Sequence, residues 1–442
     1  MLLRFHVSNF LSFSEEVELS LIPSRVRQHS EHIVRNTAGC DIDILRAAVI
    51  YGANASGKSN MVRAMRFAQR LILEGTRIKQ SIPRIPFKLC QESGVRPSRF
   101  EFEFRHGANC YIYGFEVDHQ RIHTEWLYEI KKTAETLLFE RATTEEGKVS
   151  VQFGKVGFQD KEDQQFVAGV AKGTRSNQLF LTESMERNIP HFANVYQWFD
   201  ETLVIIYPDS QYLPLASKIA EGDFAASIAQ YLEQLGTGIR GFDLLDMNPE
   251  VEFPLDILTE MRELPELEGK SVFVVGPGGE RFIVDVTEGQ IQAQKLMFKH
   301  KMGDCNEDVL FDIKEESDGT RRMLDLLPQF ASLTGRDQVI VIDELDRSLH
   351  PRLSYELIKL FLADVESHSQ LIATTHEEHL LDLELLRRDE VWFIEKDLTG
   401  ASRLYSLEEF APRYDKDIER GYLMGRFGAI PVFRRTSFSR RV

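Results

Sequence analysis

The chain has 442 residues, 43% of them hydrophobic, which is enough to bury a large core and leaves room for two or three domains. A formal net charge of −16 excludes a generally basic surface for nucleic acid, while leaving room for a local basic patch. No run of 18 apolar residues occurs, so no membrane span is expected, and the start Met1-Leu2-Leu3-Arg4-Phe5-His6 lacks a signal-peptide pattern.

In chain order, Leu3, Phe5 and Val7 alternate, as do Val17, Leu19 and Leu21, which predicts two paired strands joined by a turn over residues 8–14. The polar stretch Pro23 to Asp43 reads as a loop. The four cysteines, Cys40, Cys90, Cys110 and Cys305, are widely spaced without a C-x-x-C pair. That argues against a zinc site and fits a reducing cytoplasm.

The apolar run Ala47–Tyr51 leads into Gly52-Ala53-Asn54-Ala55-Ser56-Gly57-Lys58-Ser59, followed by Asn60 and an amphipathic stretch with Met61, Met65, Ala68 and Ile72 on one stripe up to Gly75. This is a strand, a glycine loop of Walker A form, and a helix. Glycines let backbone N–H groups curl around an anion, and the helix N-terminus adds partial positive charge. Lys58 would reach the β- and γ-phosphates of ATP, and the Ser59 hydroxyl would ligate Mg²⁺.

Residues 100–104 and 111–115 flank His106-Gly107-Ala108-Asn109 and predict a hairpin, continued by strands over 122–130 and 136–139. Its aromatic stripe reads as core, not as a base-stacking platform. Residues from about 160 to 240 read as mainly helical, with Leu179-Phe180-Leu181 as a short strand and Phe224, Ile228, Leu232 and Leu235 on one helix face. Residues 251–268, rich in acids and carrying Pro254 and Pro265, predict a surface excursion. Short strands over 272–275 and 282–286 flank the turn Gly276–Gly279.

Glu315-Glu316-Ser317-Asp318-Gly319-Thr320-Arg321-Arg322 is a Ser-x-Gly turn opening a helix, a second anion site built from N–H groups and hydroxyls. Gln338–Ile342 is an apolar run ending in Asp343 and Glu344, the Walker B pattern. Asp343 would hold Mg²⁺ and Glu344 would polarise the attacking water. One helix further on, the buried strand Leu371–Thr375 ends in His376, placed to sense a γ-phosphate. The Ser317 to Thr320 turn has no phosphate of its own to serve. Two copies arranged head to tail would let each turn cap the γ-phosphate held by the other.

This order resembles the ABC ATPases, and implies a D-loop at Ser348-Leu349-His350-Pro351. Asn9-Phe10-x-Ser12-Phe13 together with the Walker A segment is similar to the RecF/SMC/Rad50 branch. Several further segments look like the abortive-infection ATPases of the AbiL/RloA type, relatives of the Old-family ATPases. They are Tyr113–Val117, Glu125–Tyr128, Glu316–Arg322, Asp343–Pro351, Thr374–His376 and Gly421–Pro431.

The resemblance implies an α/β P-loop NTPase of the ABC-ATPase head type, with a mixed central sheet, an antiparallel β-lobe and a helical insertion. The expected domains are 1–150, the N-terminal ATPase half with Walker A and the antiparallel β-lobe; 151–300, a mainly helical insertion with short strands; and 301–442, the C-terminal half with a basic tail. The expected activity is ATP hydrolysis by a homodimer or higher oligomer with ATP and Mg²⁺. It would act as a sensor or scaffold for a separate nuclease or toxin effector in anti-phage defence. Only 66 residues follow His376, without a clustered acidic metal motif, so no Toprim nuclease segment is expected. A RecF-like DNA-repair clamp is the alternative, and nucleic acid stays open as a partner. A transporter subunit fits least. Arg434, Arg435, Arg440 and Arg441 form a basic tail suited to solvent or a docking partner.

Overall fold

The structure, a computed structural model, describes residues 1–35, 40–132, 134–212, 215–220, 222–264, 267–303, 307–331, 337–364, 367–410 and 418–430. Cys305 and the basic tail, residues 434–441, lie outside them. The chain divides into two compact units. The first comprises residues 1–208, 336–346 and 359–442, and the second 209–335 and 347–358.

In the first unit, β1 (Leu2–Ser8) and β2 (Val17–Ser20) pair antiparallel, with Phe5 opposite Leu19. The turn between them is anchored by Asn9, whose side chain donates to the carbonyls of Ser93 and Arg96. Within the stretch expected to be a loop lies β3 (Ile33–Val34), which pairs with β4 (Ile44–Leu45) just beyond it. β5 (Ala47–Tyr51) is buried throughout and leads to α1 (Lys58–Glu74), which buries Met61, Met65, Ala68 and Ile72 and stops at Gly75 with φ 62°.

β6 (Ser98–His106), β7 (Asn109–Val117), β8 (Ile122–Ile130), β9 (Glu135–Thr143) and β10 (Val149–Phe153) form a meander that β1 and β2 extend to seven strands. Phe100, Phe102, Phe104, Tyr113 and Phe115 are fully buried in the core, as the alternation predicts. Cys110 of β7 is disulfide-bonded to Cys40, with Cα atoms 6.0 Å apart. Sequence distance hid this pair, so cysteine spacing does not carry the compartment reading.

α2 (Lys161–Gly173), α3 (Phe180–Glu186) and α4 (Ala193–Gln197) follow, then β11 (Leu203–Ile206). Leu179-Phe180-Leu181 is therefore the start of a helix, not a strand. The buried Glu125 carboxylate accepts from the N–H groups of Phe180 and Leu181, which helix entry leaves without intrahelical partners.

The second unit contains α5 (Leu215–Ala220), α6 (Asp223–Gln234), β12 (Ile239–Met247), α7 (Pro249–Glu252), α8 (Leu255–Glu263), β13 (Lys270–Val275), β14 (Arg281–Thr287), β15 (Gln290–Lys301), β16 (Asp308–Phe311) and α9 (Asp318–Ala331). Its strands form an antiparallel sheet in the order β12-β15-β14-β13, with β16 also on β15. Phe253, Leu258, Phe282, Val284, Val286 and Ala293 form its small core. The insertion thus begins near residue 209 rather than 151, and is built on a sheet rather than being mainly helical. Residues 151–208 stay with the first unit because Leu179, Phe180, Phe192, Trp198 and Phe199 are buried in its core.

The chain then supplies β17 (Val339–Ile342), α10 (Pro351–Ala363), β18 (Gln370–Thr375), β19 (Val391–Lys396), β20 (Ser402–Ser406) and α11 (Ile418–Leu423). The first unit's central sheet runs β11-β17-β18-β5-β19-β20, parallel except for the last pair. Among the described residues no helix is long and apolar enough to cross a membrane.

Candidate active site

β5, β17 and β18 are adjacent, parallel and in register, so their C-terminal ends lie side by side: Ile342 is opposite Ala373, and Thr375 is opposite Tyr51. Each end delivers a functional segment. β5 opens into the glycine loop. Gly52 is held against β19, where a Cβ would meet the Ile394 carbonyl oxygen at 2.3 Å. Gly57 has φ 124° and precedes α1. The loop closes through Ser56 N to Ala53 O at 3.1 Å and Asn60 N to Gly57 O at 3.0 Å. The opening N–H groups of a helix have no intrahelical acceptor, which leaves them for an anion.

Lys58 is 5% exposed, and its ammonium donates to the carbonyls of Gly52 at 2.5 Å and Ala53 at 3.2 Å. Burial lowers its pKa from 10.5 to about 8, against the upward pull of Asp346, Glu344 and Asp343. Its Nζ also lies 3.3 Å from His376 Nδ1. An ammonium can only donate, so Nδ1 is the acceptor and the neutral imidazole carries its proton on Nε2. Burial, then the Lys58 charge, hold the His376 pKa below its ordinary value, in keeping with the neutral form.

β17 delivers Asp343 and Glu344. Asp343 Oδ1 accepts from Thr374 Oγ1 at 2.7 Å, and that hydroxyl accepts from Glu344 N at 2.8 Å. One threonine on β18 therefore fixes both the carboxylate of Asp343 and the backbone of Glu344. Glu344 sits at φ 50°, a left-handed conformation uncommon outside glycine and often found at functional turns. The His376 N–H points to the Asp346 carboxylate at 3.3 Å.

The structure thus brings Gly52 to Asn60, Asp343, Glu344 and His376 to one edge of one sheet. Ser317, Asp318, Gly319 and Thr320 belong to the second unit. There Ser317 Oγ accepts from Thr320 N at 3.1 Å, which caps the opening of α9. Gly319 abuts the turn at Ser348, whose φ is 63°, and a Cβ on Gly319 would lie 2.9 Å from the Ser348 carbonyl oxygen. Gln178, the sequence's one candidate for a Q-loop glutamine, is fully buried, and its Oε1 accepts from Thr76 N at 2.8 Å and Thr76 Oγ1 at 3.0 Å.

The supporting roles of Thr374, Ser12 and Ser402 escaped sequence reasoning, although Ser12 and Thr374 lie in segments that carry the family resemblance. The first had a signal, a hydroxyl at the end of an otherwise apolar buried strand. Ser402, on β20, had none.

A family model described as "AAA domain, putative AbiEii toxin, Type IV TA system" matches residues 47–382. The chain belongs to this family of AAA ATPases. Its fold is that of a P-loop ATPase head, with a mixed central sheet, an antiparallel lobe and an inserted unit. No curated protein matches the chain. Among solved structures, an SMC head bound to the C-winged helix domain of ScpA aligns over 93% of this chain and 99% of that one, at 13% identity and a TM-score of 0.41. The SMC head domain from Thermotoga maritima aligns over 92% and 98%, at 12% and 0.37. An Smc head with an extended coiled coil, bound to the C-terminal domain of ScpA and derived from Pyrococcus furiosus, aligns over 96% and 98%, at 14% and 0.38.

The residues present fit a nucleotide of this ATPase family. The loop is too tight for side chains at Gly52 and Gly57, and its lysine ammonium is desolvated with only carbonyls and an imidazole as acceptors. A polyphosphate would supply the counter-charge that burial denies Lys58. Ser59 and Asp343 offer the hard oxygen ligands Mg²⁺ takes.

Proposed function

We propose that this chain binds and hydrolyses ATP with Mg²⁺. Gly52, Ala53, Asn54, Ala55, Ser56, Gly57, Lys58, Ser59 and Asn60 hold the phosphates, and Ser59 and Asp343 hold the ion. Glu344 orients and deprotonates the attacking water, and His376 donates from its protonated Nε2 to the γ-phosphate. An ion held by Ser59 and Asp343 would supply positive charge against that developing on the transferred phosphoryl group. Ser317, Asp318, Gly319 and Thr320 of a second copy cap that phosphate, so the two heads close around ATP. In this reading the chain is a cytoplasmic sensor or scaffold that controls a separate effector in anti-phage, abortive-infection defence.

The observation that carries the reading is the convergence of Lys58, Asp343, Glu344 and His376 at the C-terminal ends of three adjacent parallel strands. Glu344→Gln tests it. The amide keeps the carboxylate's shape but is a poor base, so ATP should stay bound and the dimer should persist, read as doubled mass by light scattering with Mg–ATP and not without it. ATP turnover at the wild-type rate in that variant would remove Glu344 from the mechanism, and ATP binding without closure of any kind would remove the sandwich.

A further inference from the structure

The floor of the glycine loop is fixed from outside the residues that the family model covers. Ser402, at the start of β20, is 3% exposed. Its Oγ lies 2.5 Å from the Ser56 carbonyl oxygen and 2.8 Å from Ser12 Oγ, and its N–H donates to the Ser12 carbonyl at 2.8 Å. Ser12 Oγ in turn accepts from Asn60 Nδ2 at 2.9 Å. A serine hydroxyl has one proton. The Ser56 carbonyl can only accept, so Ser402 must donate to it. The proton between the two serines then belongs to Ser12. The result is a one-way chain, Asn60 to Ser12 to Ser402 to Ser56, in which each hydroxyl accepts one bond and gives one. Such chains strengthen each member by polarisation.

The end of that chain matters for chemistry. No cis peptide occurs among the described residues. A trans peptide is planar, so its C=O and the following N–H point in opposite directions. Pinning the Ser56 carbonyl on Ser402 therefore aims the Gly57 N–H away from β20. The closeness is also why residue 57 must lack a side chain: a Cβ there would meet Ser402 Oγ at 2.3 Å and Ser12 Oγ at 2.9 Å.

We propose that Ser402 is a positioning residue for nucleotide: through Ser56 it orients the Gly57 amide that binds phosphate, with Ser12 and Asn60 holding Ser402 in that role. The inference rests on the nucleotide reading of the loop and goes beyond it by assigning a part of the phosphate site to a strand 346 residues away in sequence.

The test uses the full chain and three probes: ATP, ADP and inorganic tripolyphosphate, each titrated calorimetrically into wild type, Ser402→Ala, Ser12→Ala and the double variant. Ser402→Ala should weaken all three by the same factor, about tenfold, since the lost orientation concerns phosphate and not base or ribose; that factor equals about 1.4 kcal/mol. Ser12→Ala should weaken them less, and the double variant no more than Ser402→Ala, because both act through one bond to Ser56. Wild-type affinity in Ser402→Ala overturns the proposal, as does a loss seen for ATP but not for tripolyphosphate. Should Ser402→Ala fail to fold, Ser12→Ala decides alone: an equal loss for the three probes supports the chain, and no loss overturns it. A wild-type chain that binds none of the probes would instead overturn the nucleotide reading, a result distinct from any of these.

Discussion

If the chain binds ATP as proposed, Lys58 should make that binding depend on pH. Its ammonium is buried among carbonyls, and burial brings its pKa from 10.5 to about 8 in the nucleotide-free protein. A polyphosphate beside it would return the pKa toward its ordinary value. At pH 7 about nine in ten molecules carry the charge already, whereas at pH 9 about one in ten do. ATP affinity should therefore fall about tenfold between pH 7 and pH 9, and each ATP bound at pH 9 should take up roughly one proton. Titration calorimetry at pH 9 in two buffers of different ionisation enthalpy measures that proton directly. Lys58→Met should bind more weakly and without the pH dependence. The same shift has a stability consequence. The unfolded chain holds this proton up to a higher pH than the folded one, so the cost of the buried ammonium is fully present below about pH 8 and fades as pH rises toward 10.5. Binding of ATP at pH 9 with no proton uptake would refute the account of Lys58 as a charge held at a cost for phosphate.

Two further outcomes follow from other parts of the structure. Ser317→Arg should still bind ATP, since Lys58 and its loop are untouched, but should lose hydrolysis because a large cation would obstruct the phosphate of the opposing copy; turnover at the wild-type rate by phosphate release would sink the composite site. Reducing Cys40–Cys110 frees a loop of 70 residues, which in the chain-entropy account lowers the unfolding free energy by about 4 kcal/mol; urea denaturation with and without reductant reads it, and unchanged midpoints would mean that the pair is not bonded in solution.

The parts of this molecule that were legible in sequence are those whose cause is local. The glycine loop, its helix, the hairpin over residues 98–117 and the strand before Asp343 each carry their own pattern of spacing, turn residues and burial. Where the cause is distant, the pattern misleads. Leu203 to Ile206 lies in a helical stretch and becomes a strand because parallel pairing with Val339 to Ile342 gives its backbone partners. Leu179 to Leu181 has strand composition, yet its N–H groups find the buried carboxylate of Glu125, and a helix starts there instead. The sheet of the second unit pairs Ile239 to Met247 with residues 293–300, a match that no local window contains. Ser12 and Ser402, 390 residues apart, meet beneath the glycine loop for the same reason.

That distribution bears on how the site is built. The groups that would touch nucleotide come from contiguous motifs, because strand ends and a helix start place them by local geometry. The groups that hold those motifs in shape come from elsewhere in the chain: Thr374 steers Asp343 and the Glu344 backbone, and Ser402 with Ser12 steers Ser56. Gly319 shows the same logic in the second unit. The Ser348 carbonyl lies where its side chain would be, and Ser348 follows Glu344 by only four residues along the chain. A side chain at Gly319 would have to displace that carbonyl, and Ser348 already holds a left-handed φ of 63° with little latitude to shift. Glycine at 319 is thus required by the turn that follows Walker B as well as by any phosphate the Ser317 to Thr320 turn would cap.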